Sequence, residues 1–152
     1  MKDHVAVAQV QIDATPARVW DALTDPSEIE QYMFGSKVVT SWEPGSRIVW
    51  KGEYEGKSYE DHGEILEVER EKRLVMTHFS PLHGKEDAPE NYHTLAYELE
   101  AVDEGTRVQL SQDNNESTEA AEQSQGNWEK MLQGLKSVVE QSEARDPAMA
   151  KS

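Results

Sequence analysis

From Val5 to Ile12 the chain alternates: Ala6, Ala8, Val10 and Ile12 fall on one side, Gln9 and Gln11 on the other. A period of two is the mark of a strand with one buried face. Thr15-Pro16 follows. Threonine is a good helix N-cap and proline is favoured at the first helical position. A helix therefore starts there, with Val19, Trp20 and Leu23 on its buried face. Asp25-Pro26 ends it, because the residue before proline resists the α conformation. A second short helix is expected from Pro26 to about Tyr32, capped by Asp25.

From Ser36 onward the pattern is that of strands. Lys37 to Trp42 is the first, and Glu43-Pro44-Gly45-Ser46 is a turn. Arg47 to Tyr54 puts Ile48 and Trp50 on one face, Arg47 and Lys51 on the other, and Glu55-Gly56 turns it. Ser58 to Val68 is longer, and its apolar phase shifts around Ile65-Leu66. Gly63, just before the shift, suggests a bulge or bend. After a turn at Arg70 to Lys72, Leu74 to Phe79 is a strand. His78 to Asn91, with Pro81, Gly84 and Pro89, is the longest loop. Tyr92 to Leu99 and Thr106 to Gln112 form the last hairpin, joined through Asp103-Glu104-Gly105.

The period then changes to that of a helix. Trp128, Met131, Leu132, Leu135, Val138 and Val139 lie in one stripe, with Lys130, Gln133 and Glu140 off it. Upstream the same stripe holds Ala121, Ser124 and Gln125, which are small or polar. The helix is apolar in its C-terminal half and thin before it. The whole reads as α+β: about seven antiparallel strands, two short helices after the first, and a long C-terminal helix. Residues 1–142 make a single domain and 143–152 a flexible tail, with no internal repeat or linker.

Composition narrows the function. Thirty acidic residues against 15 basic give a net charge of −15, which disfavours nucleic acid and anionic membranes as partners. With no cysteine, disulfides, thiolate nucleophiles and cysteine metal sites are excluded. Met1-Lys2-Asp3-His4 lacks the apolar run of a signal peptide, and no stretch suits a bilayer, so a cytoplasmic protein without membrane insertion is expected.

Several stretches together carry a resemblance. The run Ile12-Asp13-Ala14-Thr15-Pro16-Ala17-Arg18-Val19-Trp20-Asp21-Ala22-Leu23-Thr24-Asp25-Pro26 resembles the opening signature of the SRPBCC superfamily, the START and birch-pollen-allergen group. Glu43-Pro44-Gly45-Ser46-Arg47-Ile48-Val49-Trp50, Gly63-Glu64-Ile65-Leu66-Glu67-Val68-Glu69 and Asn127-Trp128-Glu129-Lys130-Met131-Leu132 are similar to one branch of it. That branch is named for the activator of heat-shock-protein-90 ATPase, C-terminal-domain type. The likeness spans roughly residues 5 to 140. It implies the helix-grip fold, a curved antiparallel sheet around the long C-terminal helix with a cavity between them. Members bind lipids, sterols or polyketides, and some are cyclases. The name-giving co-chaperone carries a separate N-terminal domain, and none is expected within these 152 residues.

Candidate chemistry is sparse. Trp42, Trp50, Tyr54, Tyr97 and Trp128 mostly face the helix side of the sheet, and plain core packing accounts for such a set. Burying six apolar side chains of the last helix would contribute on the order of 10 kcal/mol, so the helix cannot simply lift. Access is expected near Ala121 to Gln125, or under the loops at Phe34 and His83. Among the histidines, His62 and His78 sit on strands in inward phase with Asp61 nearby; ordinary hydrogen-bonded histidines explain them better than a metal site or a general base. Asp113-Asn114-Asn115-Glu116 lacks the glycine and later glutamate of a calcium loop, and a helix cap explains it better. Serine nucleophile elbows and phosphate-binding glycine loops are absent.

The leading reading is a non-enzymatic domain for a small hydrophobic ligand, lipid or polyketide-like, contacted by Phe34, Trp50, Met76, His78, Tyr97, Ser124, Trp128 and Leu132. No cofactor, metal or catalytic residue is expected, and the chain should be a monomer or weak homodimer. Two rivals stand beside it: a polyketide cyclase- or hydrolase-like enzyme using His78 or Tyr97, and a co-chaperone-like module activating an ATPase.

Overall fold

The computed structural model describes residues 4–33, 35–54, 56–80, 86–103, 105–115 and 117–145, with the backbone alone for 54, 89 and 142–145. Phe34, His83 and the part of the expected tail from 146 onward lie outside the described residues. The alternating pattern produces β1 (Ala6–Ile12), whose Ala6, Ala8, Val10 and Ile12 are all buried, as their spacing requires. Helices α1 (Pro16–Thr24) and α2 (Pro26–Tyr32) follow, each with proline in its first turn. Thr15 Oγ1 accepts from Arg18 N at 3.2 Å, and Asp25 Oδ1 accepts from Ser27 N at 2.9 Å, so both expected caps form. Arg18 and Glu28, paired through both guanidinium nitrogens, tie the two helices together.

Strands β2 (Lys37–Val39), β3 (Arg47–Tyr54), β4 (Lys57–Glu69), β5 (Arg73–His78), β6 (His93–Val102) and β7 (Gly105–Gln112) complete the sheet. They pair antiparallel in the order β1-β7-β6-β5-β4-β3-β2. β2 stops three residues short of the expected Trp42. Trp42 has φ of 61°, a left-handed backbone that no strand can continue through, and it turns the indole onto the core. The register of β4 against β5 shifts between Ile65 and Glu67, where the apolar phase predicts it. Gly63 itself is ordinary strand, and its role is proximity: a Cβ there would meet the Thr77 carbonyl oxygen at 1.8 Å.

Helix α3 (Thr118–Arg145) lies against β1, α1 and α2. Met131, Leu132, Leu135 and Val139 are fully buried, and Trp128 and Val138 partly so. Lys136 Nζ donates to the Gln11 carbonyl at 3.0 Å, and Glu140 accepts from Asp13 N at 2.9 Å, fastening the helix to the end of β1. Burial raises the Glu140 carboxyl, but the hydrogen bonds from Asp13 N and Lys136 outweigh it and hold it below the usual range. Gly134 lets α2 come close, with Tyr32 Cβ 3.3 Å from where a methyl would sit. This is the helix-grip fold that the opening signature implied.

Candidate functional site

The concave face of the sheet does not fill completely. Alternation brings Trp50 (β3), Asp61 (β4), Leu74, Met76 and His78 (β5), His93, Leu95 and Tyr97 (β6) and Gln112 (β7) to one side. Between these and α3 lies a cavity of about 1100 Å3, just above the usual range for small-molecule sites. Ile29, Tyr32 and Met33 of the α2 region and Met131 of α3 close it on the helical side.

The wall has an apolar part and a polar end. Tyr97 and Tyr32 are buried, and burial drives both phenols well above their ordinary range, so they stay neutral. The Tyr32 hydroxyl donates to the Ala22 carbonyl at 2.9 Å. Inward positions at one end of the wall are polar: Asp61 within β4, the last residue of β5, the first of β6 and the last of β7. His78 Nε2 and Asp61 Oδ2 are 3.0 Å apart. Trp50 meets the His78 ring edge-on at 4.9 Å, and His93, paired with His78 across the strands, lies 6.5 Å away. Asp61 Oδ1 and His78 Nδ1 are buried with no hydrogen-bond partner. Nearer α3, Trp128 Nε1 donates to Gln112 Oε1 at 2.8 Å, and Ser124 Oγ donates to Asn115 Oδ1 at 3.0 Å. Among the described residues no three histidines, aspartates or glutamates are placed to hold a metal.

Residues 13–140 match the family described as Activator of Hsp90 ATPase homolog 1-like protein. The chain belongs to that family. Its solved relatives include ChR145 from Cytophaga hutchinsonii, 46% identical, with 93% of this chain and 97% of that chain aligned at a TM-score of 0.82. The Aha1 dimer from Colwellia psychrerythraea is 20% identical over 89% of this chain and 95% of that one, TM-score 0.69. DynU16, from the dynemicin biosynthetic locus, is 18% identical; 91% of this chain aligns with 48% of it at a TM-score of 0.75. The last two likenesses speak to the fold alone. A search of the curated proteins gave no match.

Within this member of the family, Trp50, Met76, His78, Tyr97, Ser124 and Trp128 all line the cavity. Leu132 does not: it is fully enclosed in the core beneath α3. Trp42 also lines the wall. His62 was expected to face inward with His78, and it does not line the cavity. Asp61 points in, so its neighbour points out, to Asp87 at 2.9 Å and Tyr92 at 3.0 Å under the 86–92 segment. The Tyr92 hydroxyl also donates to Asp87 at 2.5 Å, and burial with this carboxylate pushes its phenol up to about 12.

The segment from Asp113 is not the cap of α3; Ser117 Oγ is, accepting from Ala120 N at 3.1 Å. Asp113 Oδ1 instead accepts from Thr94 N at 2.6 Å, and Asn115 Nδ2 donates to the carbonyls of His4 and Gln112. Gln112 and Asn115 were missed as wall residues. The signal for Gln112 was available: a polar side chain that follows Val108 and Leu110 in the inward alternation of β7.

Proposed function

We propose that the chain is a non-enzymatic binding domain for one small, largely apolar molecule, lipid or polyketide-like in character. The observation that carries this reading is the cavity of about 1100 Å3, walled by Trp42, Trp50, Tyr97, Met76, Met131 and Trp128. An apolar site with a few convergent polar groups is the common form of a small-molecule pocket. Ser124 stands at its α3 side, and the six lining candidates named from the sequence are its contacts.

The co-chaperone-like alternative gains less support. Among the described residues the exposed large apolar side chains are Val5 and Val7 at one edge of the sheet, Val39 at the other, and Leu66 between. They form no common patch for a partner. No helix among the described residues is long and apolar enough to cross a membrane.

Native mass spectrometry of gently purified protein tests the reading. The expected result is a population carrying a small-molecule mass increment, with the bare mass giving monomer or weak dimer. A protein that stays empty, and also ignores fatty acids, flavonoids and polyketides at high concentration, would refute it.

A further inference from the structure

The described wall carries Glu53, Asp61 and Glu90 against a single lysine, Lys130. Glu53, Glu90 and Lys130 are exposed, where solvent and salt screen them. Asp61 and His78 are deeper, with side chains 15% and 20% exposed. They satisfy each other once, through Oδ2 and Nε2, and each keeps a second polar atom sealed from solvent with no partner. A buried polar atom without a hydrogen bond carries its full desolvation cost. The polar end of the cavity is therefore short of hydrogen-bond partners.

The chemistry of the missing partner follows from the pair itself. An ionised Asp61 only accepts, so the hydrogen between the two side chains sits on His78 Nε2. The orphaned carboxylate oxygen, Asp61 Oδ1, asks for a donor. A ligand carboxylate has none to give, and it would place a second negative charge beside Asp61.

We propose that the occupant bears a neutral hydroxyl, phenolic or alcoholic, on an apolar frame, and that this hydroxyl donates to the Asp61–His78 pair. The site discriminates against the corresponding carboxylate. Oδ1 is sealed in the resting pair, and a turn of the Asp61 carboxylate about its broad terminal torsion brings it to the hydroxyl while His78 keeps its place. The edge of Trp50 against His78 keeps the apolar frame alongside. This inference rests on the binding-domain reading and adds the head-group class to it.

Calorimetric titration of the full chain with four naphthalenes separates the two. They are 2-naphthol, 2-methoxynaphthalene, 2-naphthoate and 2-methylnaphthalene. A hydrogen bond to a charged acceptor predicts that 2-naphthol binds about tenfold or more tighter than the methoxy compound and the carboxylate. In Asp61→Asn the naphthol weakens, the naphthoate strengthens because the opposing charge is gone, and 2-methylnaphthalene is unchanged. A merely structural role for Asp61 would move all four in one direction. Naphthoate binding as tightly as naphthol to the unaltered protein, or naphthol matching its methyl ether, overturns the head-group assignment while leaving the cavity reading intact. If none of the four binds, the head-group assignment is overturned, and the cavity reading stands or falls on the mass-spectrometric result.

Discussion

Replacing Gly63 with alanine tests how closely β4 must approach β5. The new methyl would sit 1.8 Å from the Thr77 carbonyl oxygen and 2.5 Å from its carbon, where ordinary contact begins near 3.4 Å. Both obstacles are backbone, so no rotamer change relieves them. The strands must part by more than an ångström, or the methyl must twist β4 out of register. Three hydrogen bonds lie at this crossing: His62 N to Phe79 O at 3.0 Å, Phe79 N to His62 O at 2.7 Å, and Glu64 N to Thr77 Oγ1 at 2.9 Å. At about 1 kcal/mol each, their loss removes about 3 kcal/mol. That is a large part of the roughly 5–15 kcal/mol that keeps a domain folded. Urea unfolding of Gly63→Ala should show an unfolding free energy lower by that amount, and with it a lower midpoint. Gly126→Ala supplies the contrast, since a methyl there meets nothing within 4 Å in the middle of α3. It should stabilise the protein by about 0.5–1 kcal/mol through helix propensity alone. A Gly63→Ala midpoint within error of the unaltered protein would refute the close-approach argument.

Ser124→Trp removes the hydrogen bond to Asn115 and fills the thin face of α3, so it should slow 2-naphthol uptake in stopped flow several-fold. The melting temperature should fall by only about 2–4 °C for the roughly 1 kcal/mol lost, and unaltered uptake would move the point of access elsewhere. Glu140 is held ionised below its ordinary range by Asp13 N and Lys136. Its contribution is therefore present above the ordinary glutamate range and lost as pH falls through the lowered folded value. Glu140→Gln should flatten the acid limb of the stability–pH profile, and an unchanged limb would contradict this.

Much of the fold was legible because it depends on local rules. Thr15-Pro16 and Asp25-Pro26 mark helix starts by capping chemistry, and the alternation in β1 sets its buried face without help from elsewhere. The end of β2 was not legible. Trp42 reads as one more strand residue until the core draws its indole in and forces a left-handed backbone. The cavity wall was partly legible, since a strand's phase tells which side chains face in. Pairing between distant positions was the harder part. Asp61 finds His78 only because β4 and β5 register as they do, and His62 faces out for the same reason. Leu132 shares the stripe of Trp128, yet only Trp128 reaches open space; the depth of a helix against its sheet is a tertiary quantity.

The two halves of α3 are held by different kinds of force, and this bears on how fast the cavity can exchange its contents. From Met131 to Val139 the helix is fixed by fully buried apolar side chains against β1 and α2. Before Trp128 its grip is one small buried side chain, Ala121, and the hydrogen bond from Ser124 to Asn115. Fraying of the first turns thus needs only those contacts to break, while the clamp stays shut. Ligand residence time is then set by a local opening that is far cheaper than unfolding. Amide hydrogens between 118 and 126 should exchange on a faster clock than those between 131 and 139. A mutation can lengthen that residence time without making the protein any more stable.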